Sequence, residues 1–295
     1  MIKTENNTYH EVLKDASIRL KESGVPDYDN DAELLLEHAS GKSRARLLLD
    51  RELKVPEDEH LKFEELLVRR VNREPLQYIL GKWEFMGLEF ECGSACLIPR
   101  QDTELLVMTA LEEIKELDGN IRLLDLCTGS GCVVISAVRL AKDRNGNAAG
   151  DRLEAAAIDI SAEALETARR NACLNGVNID FRQSDMFENV PKTGYDLITA
   201  NPPYIETDQI EGLNPEITRY EPMIALDGGK DGLKHYRSIV AGAREYLREG
   251  GKLMMEIGDT QGASVSGLLE EAGYRDITVL KDLAGLDRVV TARRA

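Results

Sequence analysis

The chain has 295 residues, 42% of them hydrophobic, which is enough for one large domain and a small one, because a single core rarely grows beyond roughly 250–300 residues. A formal net charge of -16 argues against a main task of gripping a phosphate backbone, which takes clustered Lys and Arg, so no direct nucleic-acid binding is expected. No stretch approaches the about 20 apolar residues of a membrane span, and Met1 to Lys14 lacks the apolar run of a secretory signal, so a cytoplasmic protein without a membrane partner is expected.

The residues up to about Val71 carry only helical patterns: Val12, Leu13, Ala16 and Leu20 form one stripe, Leu34, Leu35 and His38 a second, Leu61, Leu66, Leu67 and Val71 a third. This is the pattern of a small helical bundle. Pro26 and Pro56 punctuate it, and Arg73-Glu74-Pro75 closes its last helix, since proline disfavours helical geometry in the residue before it. The expected organisation is therefore a helical domain over 1–75, a linker over 76–102 and a larger domain over 103–295. Within the linker, short apolar runs around Gly87 and Gly93 predict a β-hairpin.

A helix is expected from Thr103 to Leu117, and strands and helices then alternate: Arg122 to Leu126, Val133 to Leu140, Leu153 to Ile160, Ala162 to Asn175, Ile179 to Gln183, Tyr195 to Ala200. Alternation of this kind specifies a mostly parallel sheet with helices on both faces, an α/β fold. The pattern continues with a helix at Leu233 to Leu247, a strand at Lys252 to Ile257, a helix at Ala263 to Ala272, and strands at Ile277 to Leu280 and Arg288 to Ala292. No helix separates the last two, so they should pair antiparallel, parallel neighbours needing a long crossover. Asp143 to Asp151 reads as a loop. Cys92, Cys96, Cys127, Cys132 and Cys173 are odd in number and without C-x-x-C spacing, so neither a disulfide framework nor a metal site is expected.

Leu123 to Gly131 runs a buried strand into a glycine turn that opens a helix, the place where doubly wound sheets bind nucleotides. A dinucleotide fingerprint wants a third glycine where Val134 stands, which weakens a nicotinamide-cofactor reading. Asp159 closes the next strand, placed to accept both hydroxyls of a ribose. The strand Tyr195 to Ala200 then delivers Asn201-Pro202-Pro203-Tyr204 to the carboxyl edge of the sheet. The prolines fix their φ angles and stiffen this loop, which can hold the Asn201 side-chain oxygen and the Pro202 carbonyl as two acceptors converging on one NH2 group. Tyr204 can stack on a planar amide or amine. Such a site suits methylation of a planar nitrogen by orientation and electrostatics.

These residues resemble the Rossmann-like methyltransferases, and the flanks resemble one family, HemK/PrmC, the protein-(glutamine-N5) methyltransferases of peptide chain release factors. The likeness spans nearly the whole chain: Arg73 to Ile79, Glu84 to Leu88, Leu97 to Glu104, the glycine turn, Asn201 to Tyr204, Leu213 to Glu216, Glu221-Pro222, Ala225 to Leu233 and Glu256-Ile257-Gly258. It implies a seven-stranded sheet with the last strand antiparallel and a monomer using S-adenosylmethionine. Its substrate would be the glutamine of the Gly-Gly-Gln motif of bacterial class I release factors. Carried over by position, Cys127, Thr128, Gly129, Ser130 and Gly131 would cradle the methionine part of the donor, Asp159 the ribose, and Asp185 and Met186 the adenine. Asn201 would face the donor and, with Pro202, Pro203 and Tyr204, hold the glutamine. The chain has Met186 where the family usually has an aromatic residue, and Gln101 where it often has proline.

Arg100 and Glu104 equally suit a salt link and a helix-dipole contact. His10, His38, His60 and His235 are scattered and read as surface or core residues, and Glu112 to Glu116 as a solvated helix face. Two other functions fit parts of the pattern. An adenine-N6 methyltransferase would present the same planar NH2 but calls for a basic strand-binding surface. A catalytically inactive donor-binding adaptor would have no use for an intact Asn201 to Tyr204.

Overall fold

The computed structural model of the chain describes residues 7–295, so the expectation drawn from Met1 to Lys14 falls partly outside the described residues. Two compact units form. The first holds the described residues through Gly81 together with Asn214–Tyr220. It contains α1 (Tyr9–Glu22), α2 (Tyr28–Ser40), α3 (Arg44–Leu49), α4 (Glu57–Val71) and α5 (Leu76–Leu80). Helix α1 starts on a reciprocal cap: the Thr8 hydroxyl accepts from the Glu11 N–H at 3.3 Å, and the Glu11 carboxylate accepts from the Thr8 N–H at 2.8 Å. Its stripe Val12, Ala16, Leu20 is buried as the periodicity predicts.

The other two stripes differ from the sequence reading. Helix α2 buries Ala32, Leu35, Leu36 and Ala39 and exposes His38, and α4 buries Phe63, Leu66, Leu67 and Arg70 while Leu61 is 59% exposed. Both sets keep the i, i+3, i+4, i+7 spacing, rotated by part of a turn. In α4 the rotation carries Arg70 inward, where its guanidinium donates to Asp31 at 2.7 Å and to Glu216 at 3.0 Å. Arg73 grips the same Glu216 through two donors at 2.7 and 2.5 Å. Glu216 comes from the late segment Asn214–Tyr220, so this polar centre of the helical unit is completed by a distant stretch of chain.

The second unit begins with a hairpin, β1 (Lys82–Phe85) and β2 (Leu88–Glu91), turned by Met86 and Gly87, both left-handed, as hairpins of this loop length require. Then follow α6 (Glu104–Glu116), β3 (Ile121–Leu126), α7 (Cys132–Leu140), β4 (Leu153–Asp159), α8 (Ala162–Leu174), β5 (Asp180–Gln183) and β6 (Tyr195–Ala200). Helix α9 (Pro215–Tyr220) belongs to the first unit, after which come α10 (Lys234–Tyr246), β7 (Leu247–Glu256), α11 (Gly262–Glu271), β8 (Tyr274–Lys281) and β9 (Asp287–Arg294).

The sheet order is β5-β4-β3-β6-β7-β9-β8. Strands β5 through β7 are parallel neighbours, and β9 runs antiparallel to both β7 and β8, the α/β architecture expected of the sequence. From β3 the chain builds outward through β4 and β5, then returns to lay β6 on the opposite side. The carboxyl ends of β3, β4 and β6 therefore surround a switch point, where open α/β sheets bind ligands. Helix α6 is less solvated than its charges suggest: Glu113 bonds Lys252 at 2.9 Å and Arg293 at 2.6 Å.

Candidate active site

The turn after β3 is held from three sides. The Thr128 N–H bonds the Ile158 carbonyl at 2.9 Å, the Gly129 N–H bonds Asp159 Oδ2 at 2.9 Å, and the buried Asn171 of α8 donates to the Ser130 carbonyl at 3.0 Å. Cys127, Gly129 and Gly131 all have positive φ. At Gly131 a side chain has no room, since a Cβ would stand 2.7 Å from Ile135 Cδ1 and 3.2 Å from the Ala168 Cβ. Gly131 thus seats the turn against the core, whereas Gly129 leaves backbone open toward the space above the sheet.

Asp159 uses one carboxylate oxygen on the Gly129 N–H and the other on the Ser161 N–H, the latter at 2.9 Å. Burial raises its pKa, and these backbone donors oppose that rise. Below the turn lies a second acid. Asp125 is 1% exposed and accepts the Thr128 and Thr199 hydroxyls, each at 2.6 Å. Burial pushes it up to about 7 against those two donors.

The loop after β6 is braced by backbone contact. Ile205 and the segment Leu226 to Gly228 exchange N–H···O bonds at 3.0 and 2.8 Å, and Gln261 donates to the Tyr204 carbonyl at 2.9 Å. Gly228 approaches so closely that a Cβ there would meet the Tyr204 Cα at 2.7 Å. Asn201 Nδ2 donates to the Thr103 hydroxyl at 3.2 Å, and the Tyr204 hydroxyl donates to Glu256 Oε1 at 3.3 Å.

A cleft of about 560 Å³ opens over these strand ends, within the range of small-molecule sites. Of the residues singled out from sequence, Cys127, Thr128, Gly129, Ser130, Asp159, Asp185, Met186, Asn201 and Pro203 line it. Gly131, Pro202 and Tyr204 do not. Arg100 lines the rim and pairs with the buried Glu221, while Glu104 opens α6 and accepts from the Met86 N–H at 3.5 Å.

The walls include residues for which the sequence suggested no role of their own. Cys96 to Ile98 form one side, and Pro222 to Ala225, with Lys234 and His235, another. His235 had no visible partner in sequence, yet its Nε2 lies 3.3 Å from the Asp227 carbonyl and burial lowers its pKa. Asp159, Asp185 and Asp227 give the lining more acid than Arg100 and Lys234 offset, a field suited to a cationic ligand. Among the described residues, no group of three or more His, Cys, Asp or Glu is gathered as a metal ion would need.

Comparison with known proteins extends over both units. A family model described as the PrmC N-terminal domain matches residues 11–81, and one described as a methyltransferase small domain matches residues 101–217. The chain is 39% identical over 281 residues to the release factor glutamine methyltransferase of Agrobacterium fabrum, covering 94% of each chain. It is 39% identical over 291 residues to that of Geobacter sulfurreducens, covering 99% of this chain and 98% of the relative. Among solved structures, a methyltransferase from Pyrococcus furiosus matches with a TM-score of 0.51 at 18% identity, over 72% of this chain and 91% of its own, a likeness of fold.

Proposed function

The chain belongs to the release factor glutamine methyltransferases, and from that premise we propose that it methylates the side-chain amide nitrogen, N5, of the glutamine in the Gly-Gly-Gln motif of a peptide chain release factor, with S-adenosylmethionine as donor. The observation that carries this reading is the 39% identity running over 94% of the chain, helical unit included, so the likeness reaches beyond the donor site. When bound, S-adenosylmethionine supplies a sulfonium methyl group and departs as a neutral thioether.

The cleft residues fit that donor. Its volume is sufficient, its lining is acidic where the donor is cationic, and Asp159 stands at a strand end with its carboxylate oriented by two backbone N–H groups. In this reading Cys127 to Gly131 hold the methionine part, with Gly131 acting through the shape of the turn. Asp159 accepts the ribose hydroxyls, and Asp185 and Met186 flank the adenine.

Asn201 Oδ1 and the Pro202 carbonyl accept the two amide hydrogens of the substrate glutamine. An amide nitrogen is a poor nucleophile because its lone pair is delocalised, and two acceptors on its hydrogens raise its electron density and permit pyramidal geometry. Pro203 keeps the loop rigid, and Tyr204 anchors it through Glu256. Alignment of the nitrogen with the methyl group accounts for up to about 7–11 kcal/mol of the barrier. No base is needed before transfer, since the proton leaves a nitrogen that is already alkylated and passes to solvent.

The test is transfer of labelled methyl from S-adenosylmethionine to a purified release factor, and its loss when the Gly-Gly-Gln glutamine is replaced. Adenine presents the same planar NH2, so labelling of nucleic acid in place of the factor would overturn the protein substrate.

A further inference from the structure

S-adenosylmethionine is positive at its sulfonium and its ammonium and negative at its carboxylate. The acids Asp159, Asp185 and Asp227 of the cleft lining suit the two cations and repel the anion. A carboxylate taken out of water needs a cation of its own. Among the described residues, the lysines and arginines of the lining are Arg100 and Lys234.

Arg100 stands where the methionine part of the donor belongs. It ends a segment that lies against the glycine turn: a Cβ on Gly129 would be 3.9 Å from the Cβ of Cys96, and the residues from Cys96 to Arg100 all line the cleft. Three positions after Arg100, the Thr103 hydroxyl accepts from Asn201 Nδ2 at 3.2 Å. The segment therefore runs from the turn that holds the methionine part to the loop that holds the substrate amide, the stretch the methyl group has to cross. Lys234 opens α10 on another wall, where a Cβ on Gly229 would stand 3.1 Å from its own.

The Arg100 guanidinium is held without being used up. Nη2 donates to Glu221 Oε1, and Glu221 Oε2 accepts the Ile98 N–H at 3.3 Å, so one carboxylate ties the arginine to its own segment. The Glu221 side chain is 1% exposed and that of Arg100 38%. A guanidinium has five N–H donors in a planar fork that matches a carboxylate. Among the described residues only Glu221 accepts from this one, which leaves further donors on a side chain that lines the cleft.

We infer that Arg100 binds the carboxylate of the donor's methionine part, and that Glu221 is a positioning residue that holds the guanidinium for it. The inference rests on the reading of the cleft as an S-adenosylmethionine site. With both carboxylates on one arginine a single negative charge is left over, and the ammonium of the donor balances it. The rim of the cleft then reads the amino-acid end of the ligand, while Asp159 reads its ribose.

The experiment is titration calorimetry of the full chain with S-adenosylhomocysteine and with its decarboxylated analogue, an aminopropyl thioether of adenosine that lacks only the carboxylate. A hydrogen bond between charged groups is worth about tenfold or more in affinity, and the exposure of Arg100 keeps it near the lower end. Wild type should therefore bind S-adenosylhomocysteine about tenfold more tightly than the analogue. Arg100→Met should bind both alike, with the affinity wild type has for the analogue. Arg100→Lys keeps the charge without the fork and should retain part of the difference, Glu221→Gln should reduce it, and Lys234→Met should keep all of it. If Arg100→Met does not fold because Glu221 loses its partner, Arg100→Gln, which can still donate a hydrogen bond, takes its place. Equal affinities in wild type overturn the inference without any variant. So does the full difference in Arg100→Met, or its loss in Lys234→Met, and an unchanged difference in Glu221→Gln overturns the positioning role. No binding of S-adenosylhomocysteine by folded wild type overturns instead the donor reading beneath it.

Discussion

Asp159→Asn tests the donor half of the site by removing one charge and almost no volume. In the wild type both carboxylate oxygens are taken by backbone donors, Gly129 on Oδ2 and Ser161 on Oδ1, each at 2.9 Å. Asparagine has one oxygen, so either orientation of its amide turns an NH2 toward a backbone N–H and leaves that donor unpaired, at about 1–3 kcal/mol. The substitution also removes the charge that strengthens bonds to the ribose hydroxyls, each worth about 1.5–3 kcal/mol when charge-assisted. The unpaired backbone donor weakens the turn with or without ligand, so only the lost charge assistance, about 1.5–3 kcal/mol, falls on binding, and at about 1.4 kcal/mol per tenfold this is a complex weaker by about 10–10²-fold. Titration calorimetry with S-adenosylhomocysteine reads the change without turnover, with circular dichroism confirming the fold. Affinity within about threefold of wild type would refute the ribose role of Asp159.

Asn201→Ala should lower kcat by about 10²–10³ while S-adenosylhomocysteine affinity stays near wild type, and an equal loss of donor affinity in calorimetry would contradict the assigned role. Gly228→Ala would place a Cβ 2.7 Å from the Tyr204 Cα, so kcat should fall together with melting temperature, and an unchanged melting curve argues against the close packing described. Glu216→Ala leaves Arg70 and Arg73 without their shared acid and should destabilise the helical unit by about 2–4 kcal/mol; hydrogen exchange should speed up in α4 and not in β3, and equal protection in α4 counts against the cluster. Burial pushes Glu256 and Asp125 each up to about 7, above the ordinary carboxylate values of 4.5 and 3.8. Between those limits the native state binds more protons than the unfolded chain, so stability should fall as pH rises from about 4.5 toward 7. Melting temperature measured across that range in wild type, Glu256→Gln and Asp125→Asn should show each substitution removing part of the slope.

The parts legible in the sequence are those set by strong local rules. Tyr195 to Ala200 was readable as a strand to the residue, because β-formers end at an Asn-Pro-Pro that cannot continue a ladder. The glycine turn and Asp159 followed from strand-to-helix punctuation. Helix phase in the first unit was not legible: in α2 small alanines carry the buried face and compete poorly with leucines in any count of apolar residues, and in α4 Leu61 imitates a core position while Arg70 occupies one. Strand β7 starts at Leu247, five residues before the expected Lys252, because Gly250-Gly251 looks like a break in sequence and is accommodated by a register shift against β6. The Thr103 contact with Asn201 is likewise invisible without three dimensions: the two lie 98 positions apart, and a likeness that covers both segments does not say that they touch.

The bond between Arg70 and Glu216 joins positions 146 residues apart. On a ribosome the helices of this unit emerge before the sheet, and at that moment Arg70 faces Asp31 without Glu216. Its second acid is Glu216, which Arg73 also grips, and it arrives after the central strands of the sheet have been made. Closing so long a loop costs entropy before the contact repays it. The helical unit is thus finished only after strands that follow it in the chain, and a nascent chain stalled before Glu216 should carry a loosened helical unit in which Arg70 and Arg73 await their carboxylate.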